Sequence, residues 1–169
     1  IYVSPNGAVY CNTAVDRIVP KQASGTEPNV SVEPFCEWVI DNTNLKNVEL
    51  SIPGATFVSD LMPFIERKLF TVNTGHLTVA YLGQLIGCET ISESLAKPEV
   101  LQFTRRVLEE TSVALILKHS FDSAKHAEYV EKTLSRLSNP AIDDDVERVG
   151  RQPLRKLSRN ERLIGPAAF

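Results

Sequence analysis

Near residue 61 the hydrophobic pattern of this chain changes period, and that switch limits the architectures open to it. Upstream, apolar residues come in short β-branched and aromatic runs: "AVDRIVP" alternates and stops at Pro20, "KQASGTEPN" reads as a polar loop, and "VSVEPFCEWVID" reads as a strand followed by the turn signal "DNTN". Pro34 inside that last run predicts an edge strand or a bulge. Downstream the spacing is helical. "LMPFIERKLFTVNTGHLTVAYLGQLIG" predicts one long central helix ended by Gly87. "TISESLA" predicts a short helix with a Thr90/Glu93 capping box, and "KPEVLQFTRRVLEETSVALILKHS" a long one with Pro98 in its first turn. Two more helices follow, in "DSAKHAEYVEKTLSRLSNP" and in "DDDVERVG", whose acids suit a helix N-terminus.

The predicted fold is mainly α with a short β-containing N-terminal segment, divided at residues 1–58 and 59–169. At 169 residues, 43% hydrophobic and 23% charged, the composition is that of a globular protein with a sizeable core. No apolar run reaches the roughly 18 residues of a membrane span, and no secretory signal opens the chain. The start at Ile1, with Met62 as the only methionine, reads as a processed or excised piece of a longer protein. Cys11, Cys36 and Cys88 have no CxxC spacing, which argues against a disulfide framework or a zinc site and for reduced, mostly buried thiols in a cytoplasmic protein.

The central helix carries polar residues that a silent core would not choose. At 100° per residue Asn73 lies about 140° around from Lys68 and His76 about 80°, so all three can converge on one side. Thr71, Val72, Asn73, Thr74 and Gly75 make poor helix, and Gly75 would admit a ligand or another backbone. Lysines desolvated beside other cations serve as general bases, an asparagine amide can donate to a developing alkoxide, and a histidine can bond a hydroxyl. Such a trio suits proton transfer at an alcohol or carbonyl. The bland alternative has Lys68 snorkelling to solvent, Asn73 at a kink and His76 as a satisfied core histidine. Spacing alone leaves both open. His119 and His126 read as surface residues, and Trp38 as core or interface.

Charge is unevenly placed. "RVGRQPLRKLSRNER", residues 148 to 162, holds Arg148, Arg151, Arg155, Lys156, Arg159 and Arg162 against Glu161 alone, in a chain of net charge −3. A local basic patch on an acidic protein suggests a small anionic ligand and not nucleic acid, which wants a broader field. Its alternative is a solvated face pairing with the acids at 143 to 145. No glycine-rich nucleotide-binding loop of either common type occurs, so a bound dinucleotide would need another domain.

Lys68-x4-Asn73-x2-His76 resembles the active-site motif of the polyol-specific long-chain dehydrogenase/reductase family. With "AVDRIVP" at 14 to 20 and "DDVERVGRQPLRKLS" at 144 to 158, the similarity runs over nearly the whole chain, towards members that act on a phosphorylated polyol. The resemblance implies an N-terminal Rossmann domain, of which this chain holds the end, and a helical substrate domain, of which it holds much. It implies metal-independent, NAD-linked interconversion of mannitol 1-phosphate and fructose 6-phosphate. It assigns Lys68 as the catalytic base, Asn73 as a carbonyl-polarising amide whose usual partner asparagine lies outside this chain, and His76 as a substrate-hydroxyl contact. Arg148 and Lys156 match substrate-binding positions, and Asp16 falls in a segment that reaches the substrate or cofactor pocket. Arg151 and Arg155 add forks suited to phosphate. Asp16 and Arg17 could instead be a structural ion pair. Two alternatives remain at this stage: a dehydrogenase for unphosphorylated sugar alcohols, and a non-enzymatic helical binding module. The expected partners are a sugar phosphate and the parent Rossmann domain, with no nucleic acid, membrane or metal, and the isolated 169 residues are expected to be inactive.

Overall fold

The computed structural model describes residues 8–20, 22, 28–45, 50–142 and 144–168. Much of the loop expected at 21 to 29, and Asp143 of the acidic run, lie outside them. Three strands form one small sheet in the order β1 (Thr13–Asp16), β2 (Glu37–Asp41), β3 (Ala55–Val58), antiparallel between β1 and β2 and parallel between β2 and β3. β2 is therefore the central strand, which corrects the expectation of an edge or a bulge. Pro34 lies at a bend three residues before Glu37, outside the ladder, so its missing N–H costs the strand nothing. The turn after β2 is held by Asp41, whose carboxylate accepts from the Thr43 backbone N–H at 2.9 Å and hydroxyl at 2.7 Å.

The helical part begins with α1 (Met62–Arg67), continues through a π-helical segment (Lys68–Asn73) and passes without a break into α2 (Thr74–Leu85). α2 buries Thr74, Gly75, Leu77, Thr78, Val79, Ala80 and Gly83, more than one face of it, so it forms the middle of the domain. It ends in the predicted glycine cap. Gly87 has φ +79°, its N–H donates to the Gln84 carbonyl at 3.3 Å, and the Cys88 N–H reaches back to Gly83 at 2.9 Å.

Around α2 pack α3 (Ile91–Leu95), α4 (Pro98–His119), α5 (Ser123–Leu137) and α6 (Val146–Gly150), followed by the short α7 (Pro153–Lys156) and α8 (Ile164–Ala167). The main core joins Val79, Ala80, Ile91, Leu95, Val100, Leu137, Ile142 and Val146, with Ile18 from the β segment. A smaller cluster, Leu108, Val130 and Leu134, glues α4 to α5. At α3, Thr90 caps Glu93 N–H at 3.2 Å as predicted. Glu93, however, reaches past Thr90 to the backbone N–H of Glu89 at 2.8 Å.

Three further expectations need correction. His126 is buried at 3% exposure, stacked between Phe121 and Tyr129, and His119 is half-buried against Glu66 at 2.7 Å. Burial, with the nearby Arg67 charge, pushes the His126 pKa down. Gly75 admits no ligand: a Cβ there would meet the Leu108 side chain at 3.3 Å and Leu137 at 3.7 Å. Of the thiols only Cys88 is buried; Cys36 is exposed.

Candidate active site

The poor helix formers at 71 to 75 mark the place where the helix widens. Over Lys68–Asn73 the backbone is π-helical. The Thr74 hydroxyl supports the wide turn by donating to the Leu69 carbonyl, five residues back, at 3.1 Å, and also to the Arg162 carbonyl. Hydrogen bonds from i to i+5 place residue i+5 roughly one turn above residue i. The wide turn thus brings the Asn73 backbone closer to lying above that of Lys68 than an α-helix, which would separate them by about 140°. Short π segments of this kind occur often at functional sites.

Asn73, at the end of the π segment, and His76, in the first turn of α2, open onto a cavity of about 240 Å³. Arg148 and Val149 from α6, Arg151 and Gln152 from the connection, Arg155 and Lys156 from α7, and Arg162 line the rest. Gln152 makes this possible. Its left-handed backbone, φ +58°, is unusual for a residue with a Cβ, and it turns α7 back so that both basic helices face the same space. Lys68 lies outside the lining. Its ammonium donates to the carbonyl of Val15 in β1, on the side of the helix that meets the sheet.

Five cationic side chains surround the cavity, and two carboxylates temper them. Asp144, only 1% exposed, is shared: His76 Nε2 lies 3.1 Å from one carboxylate oxygen, and Arg148 Nε donates to the other at 2.6 Å. Burial alone would raise the Asp144 pKa. The hydrogen bond and charge of His76, joined by those of Arg148, outweigh it and hold the carboxyl below its ordinary value. Glu161 pairs with Arg155 at 2.9 Å and Arg162 at 3.1 Å. Lys156 is buried, donates to the Val149 carbonyl, and has its pKa lowered by desolvation and by the charges of Arg162, Arg155 and Arg151. Among the described residues no ion pair involves Arg151. The arrangement is a cation-rich cavity with an amide side chain and an imidazole at its inner wall.

The structure therefore brings Asn73, His76, Arg148, Arg151, Arg155 and Lys156 together, and keeps Lys68 one wide turn away from them. It places Asp16 elsewhere. Asp16 is 3% exposed and is held by Arg136 at 2.9 and 3.0 Å and by the Tyr129 hydroxyl at 2.8 Å, while Arg17 bonds the Glu33 carbonyl at 3.0 Å. Asp16 and Arg17 are not each other's partner. Arg162, counted in the basic patch but given no role, also lines the cavity, and Asp144, counted only among the acids at 143 to 145, is its buried counter-charge. The i, i+4 spacing of Asp144 and Arg148 was the available signal for that pairing; nothing local marks Gln152.

Residues 60–168 match the family model of the mannitol dehydrogenase C-terminal domain, and residues 5–54 match that of the mannitol dehydrogenase Rossmann domain. The chain is 58% identical over 161 residues to a mannitol-1-phosphate 5-dehydrogenase of Paenarthrobacter aurescens, covering 95% of this chain and 42% of the relative. It is 52% identical over 162 residues to the Aspergillus clavatus protein of the same name, with the same coverage of each. The chain thus spans less than half the length of these relatives. Among solved structures, Pseudomonas fluorescens mannitol 2-dehydrogenase in ternary complex with NAD and D-mannitol superposes with a TM-score of 0.67 at 25% identity, over 85% of this chain and 32% of that one. A substrate-free D-sorbitol dehydrogenase shares the fold, with a TM-score of 0.71 at 20% identity over 89% and 33% of the two chains. The chain belongs to the mannitol dehydrogenase family.

Proposed function

We propose that the complete protein is a cytoplasmic, NAD-linked dehydrogenase interconverting mannitol 1-phosphate and fructose 6-phosphate, and that this chain supplies its substrate-binding and proton-transferring half. The observation that carries the reading is the single cavity in which Asn73 and His76 share a wall with Arg148, Arg151, Arg155 and Lys156. That density of cations suits a phosphate and has no evident partner on a neutral sugar alcohol. The names of the relatives at 58% and 52% identity support the same substrate pair.

In this reading the phosphate sits among Arg151, Arg155 and Lys156, with Arg148 kept in place by Asp144. His76 accepts from or donates to a substrate hydroxyl. The Asn73 amide donates to the oxygen that becomes the carbonyl, where charge develops. Lys68 Nζ takes the hydroxyl proton in oxidation and returns it in reduction. NAD, when bound, supplies the hydride acceptor. The residues fit that group at its reacting end only, since Lys68 and Asn73 stand at the two ends of the π turn while the chain has no glycine-rich turn for its phosphates. The dinucleotide is therefore assigned to a Rossmann domain that ends near residue 58, with the helical substrate domain running from 59. The described residues include no helix long and apolar enough to cross a membrane.

The likeness to a mannitol 2-dehydrogenase favours a second reading, oxidation of an unphosphorylated polyol. Catalytic efficiency of the complete protein on fructose 6-phosphate and on fructose separates the two. A preference of at least about a hundredfold for the phosphate ester is expected from charge-assisted contacts worth roughly 3 kcal/mol. Equal efficiency on both sugars would sink the phosphate assignment.

A further inference from the structure

We propose that Arg136 is a positioning residue for Lys68, acting through Asp16 and the backbone carbonyl of Val15. The proposal rests on the reading of Lys68 as the base. β1 is an edge strand, and the parity of its pairing decides which of its carbonyls are free. The Asp41 N–H donates to the Asn12 carbonyl at 2.9 Å, so by the two-residue alternation of an antiparallel ladder the backbone groups of Ala14 and Asp16 face β2. Those of Val15 face the open edge. There the Val15 carbonyl meets Lys68 Nζ.

The next residue along fixes that carbonyl in space. Arg136, on α5 and 8% exposed, grips Asp16 with two parallel hydrogen bonds and Glu33 with two more, at 2.7 and 2.9 Å. Tyr129, two helical turns away on the same face, adds its hydroxyl to Asp16, and Glu33 in turn accepts from the Ile18 N–H. The guanidinium lies 4.0 Å over the Phe35 ring. Residues 16 and 18 of the strand exit are thus both tied to one arginine. α5 also packs against the π segment that carries Lys68, so one rigid helix references both ends of the Val15–Lys68 contact. A network used only as glue could be replaced by apolar side chains at little cost in stability. An apolar patch would not set the direction of a carbonyl. The structure therefore assigns the fork geometry of Arg136 to aiming Lys68 Nζ.

The test is a double-mutant cycle in the complete protein, read as steady-state NADH turnover. Arg136→Lys keeps the charge and loses the fork. It is expected to lower kcat about tenfold or more, in line with the cost of misplacing a reacting group, with the KM for NADH unchanged. In the Lys68→Ala background the same change is expected to alter the residual rate by less than about twofold, because the group being aimed is gone. An equal factor in both backgrounds overturns the proposal and makes Arg136 structural. Should Arg136→Lys fail to fold, Tyr129→Phe, which removes one donor to Asp16 and no charge, decides the cycle by the same comparison. If Lys68→Ala alone leaves turnover intact, the base assignment falls first, and this proposal with it.

Discussion

Replacing Asp144 by Asn tests the organisation of the site without touching a group that meets substrate. The carboxylate is 1% exposed and has two partners, His76 at 3.1 Å and Arg148 at 2.6 Å. Charge-assisted hydrogen bonds contribute about 1.5–3 kcal/mol each. The Arg148 side chain is 34% exposed, so water recovers most of its share, and an asparagine oxygen can still accept from it. The loss falls mainly on the 3.1 Å contact with His76, 16% exposed, which gives about 1 kcal/mol. At a urea m-value of roughly 2 kcal/mol per molar, the unfolding midpoint moves down by about 0.5 M. The pH dependence has a definite sign. The folded pKa of Asp144 lies below its ordinary 3.8, so its contribution is complete above that value and disappears as pH falls through the folded one. The two proteins should differ fully at pH 7 and converge in acid. Urea melts of both proteins at about pH 7 and at steps downward from about pH 4 read this directly. A difference below about 0.5 kcal/mol at neutral pH, or one of equal size in acid, would refute the account of Asp144 as the carboxylate shared by His76 and Arg148.

Two other outcomes follow from the geometry. Changing Arg151 and Arg155 together to Ala should raise the KM for fructose 6-phosphate by about tenfold or more and leave that for NADH within about twofold; steady-state kinetics showing equal losses for both would remove the phosphate role. Gly83→Ala would place a methyl group 2.0 Å from Ser94 Oγ and 2.8 Å from its Cβ, forcing α2 and α3 apart, and should cost about 2–3 kcal/mol in a thermal melt. An unchanged melting temperature would mean that the two helices do not cross that closely.

The change of period near residue 61 was readable because it depends only on side-chain spacing, and so were the glycine cap at Gly87, the Thr90 cap and the helices at 98 and 123. Those features are local. The basic stretch was also readable as a cluster, since its residues lie within fifteen of each other and most of them line one cavity. What escaped depends on contacts between distant segments. Asp16 and Arg136 stand 120 residues apart, and nothing near either one announces the other. His126 looks like an exposed helix position until Phe121 and Tyr129 close over it. Asp16 was read as reaching a pocket because its segment resembles one that does, and a resemblance does not report which buried arginine holds a carboxylate. The π segment lies between these cases. Its weak helix formers were visible, but the angle of about 140° between Lys68 and Asn73 assumed regular α geometry, and the wide turn replaces it.

That wide turn has a consequence for how such a site can be gained or lost in descent. A π turn is in effect an α-helix with one residue too many. Deleting one residue between 68 and 73 would let the helix close into ordinary α form at little cost. Of the two flanks, α2 is anchored by its buried residues, whereas α1 buries none. The adjustment would therefore fall on α1, and it would rotate Lys68 relative to Asn73. The core would survive and the present placement of these two side chains would not, so the length of this stretch carries as much heritable information as the identity of its residues.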